Sequence, residues 1–190
     1  MASCLLNDII VSLENCEENF SGIGSRIYIA LVSDLTKGDV KRSDSAAEFT
    51  KESFSSLNGH LYAVDIKEET GKVTYTTNPD GGGFVNQVEF TVAKNMADFS
   101  FDLRTLNNVK FLAFAPDGTG AYYVFYSVMG SAKLDSTGDT GAAATDEHGH
   151  TTTISAGPMY YPLMRYCPVG SDDKPIDLDE WLASAKSGGE

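Results

Sequence analysis

Val88-Glu89-Phe90-Thr91-Val92 alternates large apolar and polar residues without a break. Successive side chains of a strand point to opposite faces, so Val88, Phe90 and Val92 share one buried face while Glu89 and Thr91 share the other. The segment reads as a half-buried β-strand. Downstream, Phe99, Phe101 and Leu103 repeat the alternation against Ser100 and Asp102, with Lys94-Asn95-Met96-Ala97-Asp98 as a turn, and a further strand is expected there. Val109 to Phe114 and Tyr122 to Val128 follow as two more strands, joined by Ala115-Pro116-Asp117-Gly118-Thr119-Gly120, which has proline and glycine where a tight connection requires them.

The same pattern extends upstream. Arg26 to Val32 is rich in Ile, Tyr and Val and reads as the first strand. Leu61, Ala63 and Ile66 lead to Glu69-Thr70-Gly71-Lys72 and then to Val73-Thr74-Tyr75-Thr76, for which a hairpin is the simplest reading. Asn78-Pro79-Asp80-Gly81-Gly82-Gly83 is a breaker expected to project as a flexible loop, because proline fixes its own φ and glycine tolerates positive φ. Residues 33–59 form a long polar loop anchored by Phe49 and Phe54, with room for a short helix around Ala46 to Lys51. Leu134 and Thr151 to Ile154 complete the sheet, and the prolines at 158, 162, 168 and 175 end regular structure near Ile154, apart from Met164-Arg165-Tyr166.

The fold class expected is mainly β, an antiparallel β-barrel or sandwich with a flanking helix, long loops and terminal arms. The density of strand-turn-strand units favours a closed or nearly closed sheet. Three parts are assigned: an N-terminal arm over 1–20, a β domain over 21–170, and an acidic extension over 171–190. The arm has apolar positions Leu5, Leu6, Ile9 and Leu13 at helical spacing, while Ile9-Ile10-Val11 suits a strand equally. The extension holds six acids, two lysines and the apolar set Ile176, Leu178, Trp181 and Leu182, and Asp177 is placed to cap a short helix through Ser184.

Composition narrows the function. The 190 residues carry 27 Asp and Glu against 14 Lys and Arg, and a net charge of −13 repels a phosphate backbone instead of binding it. Cys4, Cys16 and Cys167 match no zinc ribbon or redox pair and read as reduced thiols. No signal peptide is read at the start, and no apolar run approaches the ~20 residues of a membrane helix.

Candidate sites are few. His148 and His150 would share one face of a strand, as a two-histidine metal site requires, but His60 is the only other histidine; a polar loop entering a strand explains the pair. Gly81-Gly82-Gly83 lacks the Lys-Ser/Thr that completes a phosphate loop, and no Gly-x-Ser-x-Gly elbow is present. Asp65, Glu68, Glu69 and Asp117 lie near turns, where acids are commonplace. No catalytic, cofactor-binding or metal residue is assigned. Tyr122-Tyr123-Val124-Phe125-Tyr126 places aromatic rings on both faces of one strand, which either packs between two buried layers or meets a neighbouring subunit. Trp181 either tucks onto its own domain or anchors a partner.

Two stretches carry a resemblance. Asn19-Phe20-Ser21-Gly22-Ile23-Gly24-Ser25-Arg26-Ile27-Tyr28-Ile29-Ala30 has a Gly-Ile pair entering an Ile-Tyr strand, and Ser136 to Ile154 contains Thr140-Gly141-Ala142-Ala143-Ala144-Thr145-Asp146-Glu147-His148-Gly149 before a Thr-rich strand. Together they resemble the major tail tube proteins of tailed bacteriophages, especially those infecting Bacteroides-like hosts, or a tube-like tail ring protein of the same fold. The resemblance implies a virion structural protein, not an enzyme, made in the host bacterial cytoplasm and placed in the tail. It further implies rings of the chain itself, commonly sixfold, stacked into a channel for DNA ejection, with other tail or portal-side proteins as partners. DNA would pass without specific binding, and no cofactor or membrane is involved. By the same resemblance Asn78, Asp80, Gly81, Gly82 and Gly83, the 33–59 loop, and the tail with Trp181 and Leu182 are candidates for subunit contacts. The rival reading is a β-barrel module that binds a small molecule or carbohydrate, with the aromatic strand lining its pocket.

Overall fold

The structure, a computed structural model, describes residues 23–36, 40–43, 46–50, 53–54, 57, 61–93, 97–126, 132–139, 149–169, 177–178 and 180. Along these residues run β1 (Arg26–Leu31), β2 (Tyr62–Asp65), β3 (Lys72–Thr77), β4 (Phe84–Ala93), α1 (Ala97–Leu106), β5 (Phe111–Pro116), β6 (Tyr122–Phe125), β7 (Lys133–Asp139), β8 (Gly149–Met159) and β9 (Arg165–Tyr166). They form two antiparallel sheets, β2-β1-β5-β6-β9 and β3-β4-β8-β7. The sheets pack as a sandwich and do not close into a barrel, so the expectation of a closed sheet is corrected.

The alternation in β4 does what its period demands. Val88, Phe90 and Val92 are buried between the sheets, where they meet Ile27 and Ile29 of β1, Phe111 and Ala113 of β5, and Ile154 of β8. Thr152, also inward, has its hydroxyl matched by that of Ser136 at 2.9 Å, which lets a polar residue sit in the core.

The hairpin expected over residues 61–76 is not formed. β2 pairs with β1, placing Val64 opposite Ile27, whereas β3 pairs with β4, placing Val73 opposite Val88. Between them the chain turns a corner from one sheet to the other. Ile66 is drawn into the core and its N–H donates to Ser25 O at 2.9 Å. Gly71 lies so close to Ile23 that a Cβ there would stand 2.2 Å from Ile23 Cγ1. Buried Ile66 and half-buried Ile23 thus outweigh a turn sequence that suits a hairpin.

Residues Ala97–Leu106 are helical, which corrects the strand expected around Phe99, Phe101 and Leu103. Phe99, Leu103 and Leu106 are spaced i, i+4 and i+7, so the same residues satisfy a helical period, and Leu103 and Leu106 pack on the core. Asn108 closes the C-terminus by donating its Nδ2 to Arg104 O at 2.8 Å. No helix forms at Ala46–Thr50; Phe49 N–H donates to Arg165 O at 2.8 Å and Arg165 N–H to Ala47 O at 3.0 Å, so this segment runs along β9 instead. Regular structure also continues past Ile154 to Met159. Pro158 is tolerated because β7 pairs with β8 only as far as Ser155, so the missing N–H has no ladder partner on that side.

The five-stranded sheet is buried on its second face as well. Tyr28 and Ala30 of β1, Leu112 and Phe114 of β5, Tyr122 and Val124 of β6 and Tyr166 of β9 lie under Phe54, Leu57 and Leu178. Phe54 meets Phe49, Phe114 and Tyr166 edge to face at centroid distances of 5.2, 5.3 and 5.1 Å. Its φ of 66° is costly for an aromatic residue, and the packing offsets that strain. Ser53, beside it, is buried with its hydroxyl donating to Lys41 O and accepting from Lys41 N–H at 3.0 Å. The polar 33–59 segment therefore supplies a third layer.

Phe54→Ala should cost about 3 to 5 kcal/mol in urea denaturation, as for a core phenylalanine, although the residue lies in a loop; a loss below about 1 kcal/mol would mean that the third layer does not pack. Burial, and then the neighbouring Cys167, push the Tyr166 phenol up. It ionises more readily in the unfolded chain, so its contribution is complete below about pH 10 and declines as pH rises further. Tyr166→Phe should flatten the alkaline limb of a stability-pH curve and leave the neutral region nearly unchanged.

Candidate functional site

One end of the four-stranded sheet gathers the best-defined surface feature. β3 and β4 are joined there by Asn78 to Gly83, and β8 ends beside them at Met159, opposite Phe84. Asn78 braces the loop: its N–H donates to Gly83 O at 3.0 Å, its Nδ2 to Gly81 O at 3.3 Å, and its Oδ1 accepts Asp80 N–H at 3.3 Å. Gly81, Gly82 and Gly83 all have positive φ, as the glycine run requires. The three differ in surroundings. A Cβ on Gly81 or Gly82 would meet nothing within 4 Å, whereas one on Gly83 would stand 2.6 Å from Met159 O. The loop is thus pinned at its base against β8 and open at its apex.

The turn after β8 adds aromatic surface that sequence reasoning missed. Tyr160 and Tyr161 are exposed, and the Arg42 guanidinium lies over the Tyr160 ring, 3.5 Å from its centroid. Tyr75, on β3, is likewise exposed and rests edge to face on Phe84 at 6.1 Å. The Tyr160-Tyr161 pair between Pro158 and Pro162 was the available signal, since rings confined to a proline-broken turn have little room to enter a core.

The acidic tail is engaged at Asp177 and Leu178. Leu178 is buried on the five-stranded sheet, its N–H donates to the Tyr122 hydroxyl at 3.2 Å, and the Tyr28 hydroxyl donates to Asp177 Oδ1 at 3.4 Å. Trp181 and Leu182 lie outside the described residues, as do His148, Cys4, Cys16 and the Ala-Gly-Thr loop of 140–148. His150 is half buried on the inward face of β8 opposite Val92. Among the described residues no group of three or more His, Cys, Asp or Glu side chains is close enough to hold a metal, and no helix is long and apolar enough to cross a membrane.

Two of the four turn acids, Asp65 and Asp117, are tied to arginines. Asp65 accepts from Arg26 Nε at 2.7 Å on the surface, and that contact raises the Arg26 pKa. Asp117 is buried beneath the β5–β6 turn, where its Oδ1 accepts from Thr119 N–H at 2.9 Å, Thr119 Oγ1 at 2.7 Å and Ala121 N–H at 3.2 Å. Its Oδ2 lies 2.5 Å from Arg165 on β9. A carboxylate so held organises the turn and fastens β9. The rings of β6 are divided between layers, Phe125 between the sheets and Tyr122 beneath the third layer, so its two faces are covered from within the chain.

The outward face of the four-stranded sheet is polar across its width. One cross-strand row is Lys72, Glu89, Thr153 and Asp135; the next is Thr74, Gln87, Ser155 and Lys133; a third is Thr91, Thr151 and Thr137. Six of these eleven residues carry hydroxyls; Glu89 and Asp135 share one row with Lys72, and Lys133 stands in the next.

Compared with protein-family models, with curated proteins and with solved structures, the chain matches none.

Gly83→Ala should lower the melting temperature by roughly 4 to 8 °C, the shift of about 1 kcal/mol in a small domain. Gly82→Asn, at a left-handed position open to solvent, should leave it nearly unchanged; equal effects in calorimetry would contradict the pinned-base geometry.

Proposed function

We propose that the chain is a structural subunit of a bacteriophage tail tube or tail ring, acting by assembly with its own copies and not by catalysis. The observation that carries the reading is where the Ser136 to Ile154 signature falls. The strands that flank its loop are β7 and β8, and β7 is the edge of the four-stranded sheet. Among the described residues β7 pairs with β8 alone and contains no proline, so its second side offers backbone donors and acceptors to another strand. A neighbour that meets this edge with a different surface makes a heterologous contact, and such contacts close into a ring when the rotation between copies divides a full turn.

Stacking of rings then falls to surfaces at the end of the sheet. The braced Asn78 to Gly83 loop, with Asp80 at its apex, supports that role, and the tail bearing Trp181 and Leu182 is the second contact element. A channel wall must let DNA slide without long-lived contacts. The net charge of −13 and the hydroxyl-rich outward face favour such a wall, because repulsion by the chain as a whole and weak polar contact leave a phosphate backbone unbound; on that face Glu89 and Asp135 are balanced by Lys72 and Lys133.

Negative-stain electron microscopy of the purified chain over a concentration series tests the reading. Rings or tubes of uniform diameter are expected as concentration rises. A monomer at every concentration, with and without other tail proteins added as initiator, would overturn it.

A further inference from the structure

The two edge strands that flank the 66–71 corner leave inward-facing residues uncovered. Directly opposed residues of a strand pair point to the same face. Tyr62 stands opposite Ile29 and Val64 opposite Ile27, while Val73 stands opposite Val88 and Tyr75 opposite Asn86. Ile27, Ile29, Val88 and Asn86 are all buried, yet Tyr62 is 51% and Tyr75 50% exposed, and Val64 and Val73 are only half buried. Among the described residues the sandwich is therefore open along its β2 and β3 edges, with the aromatic side chains of Tyr62 and Tyr75 turned inward yet half exposed. Large apolar side chains left exposed on the inward face of a sandwich point to a contact site.

Where the described chain begins points to the occupant. Ile23 packs on the inter-sheet core and against Gly71. The residues before it thus leave the sandwich at the β2–β3 corner, at the foot of the open edges. They include Leu5, Leu6, Ile9, Ile10 and Leu13, an apolar group followed by the polar stretch Glu14 to Asn19. The stretch from residue 14 to residue 22 reaches up to about 30 Å when extended. The six residues of β3 rise only about 20 Å. The apolar group is therefore within reach of every point along β3, and tethering gives it an effective concentration in the millimolar range, about that of a short flexible linker.

We propose that the segment of residues 1–22 docks within its own subunit along the open β2 and β3 edges and covers Tyr62 and Tyr75. This inference is independent of the tail reading, since it concerns one subunit and no assembly. It assigns the N-terminal segment a place in the fold: a cover that completes the sandwich where the corner leaves it open.

The test is thiol labelling of the full chain with N-ethylmaleimide, in a background where Cys4, Cys16 and Cys167 are replaced by Ser. Tyr75→Cys, and separately Tyr62→Cys, report on the two edges, and Thr137→Cys on the exposed outward face of β7 serves as the control. Adding Ile9→Asp, Ile10→Asp and Leu13→Asp should speed labelling at positions 75 and 62 about tenfold while leaving the control unchanged. The slow rate before those substitutions should persist through about a hundredfold dilution, as docking within one chain requires. Equal rates with and without the aspartates, or a rise at the control matching that at position 75, would overturn the proposal. Faster labelling on dilution would also overturn it, because a second copy would then be the cover.

Discussion

Burial of both faces of the five-stranded sheet is the constraint on which the rest of the molecule depends. A two-layer sandwich of this size leaves one face of each sheet wet, and its strands then alternate apolar with polar residues. Here β5 reads Phe111-Leu112-Ala113-Phe114-Ala115 with no polar position at all, and every one of these residues is buried. Such a strand requires cover on two sides. The four-stranded sheet provides one, and Phe54, Leu57 and Leu178 provide the other. Phe54 and Leu57 of the long polar segment before β2, and Leu178 of the acidic tail, are therefore parts of the core. The few apolar residues of these segments matter more than their many charged ones.

This asymmetry between the sheets separates stability from surface. The five-stranded sheet is buried on both faces across β1, β5 and β6, and its β9 edge is extended by Ala47 to Phe49. The four-stranded sheet instead keeps one polar face, an edge strand in β7, and a braced glycine loop at one end. The loop and the edge strand proposed for contact with other copies thus belong to the second sheet. The Asp117–Arg165 pair fits the same division. It fastens the short β9 to the end of the five-stranded sheet, and its buried carboxylate is matched by donors from the turn itself.

Much of the strand pattern was legible in the sequence because it rests on local period. The alternation at Val88 to Val92 and the turn at Pro116 to Gly120 each carry their own signal, and each strand next to them formed. What was not legible depended on distant partners. Phe99 to Leu103 satisfies a strand period and, with Leu106, a helical one, and only packing on the core separates the two. The 66–71 corner has a turn sequence that suits a hairpin, and Ile23 and Ile66, brought together by the fold, decide otherwise. For the candidate site, Asn78 to Gly83 was visible from glycine and proline alone, but its pinning at Gly83 depends on Met159, a residue far along the chain. The exposed rings of Tyr75 and Tyr160 were hidden for a similar reason: a strand residue and a turn residue give no local sign of which side remains open.

Hydrogen exchange measured on dilute and on concentrated protein tests most directly the proposal that a doubly buried sheet carries a second sheet through which copies meet. Amides of β1 and β5 should exchange only through global unfolding in both samples, and those of β7 should exchange quickly when dilute and gain protection as copies associate. Slow exchange of β7 in the dilute chain, or fast exchange of β5, would contradict the account.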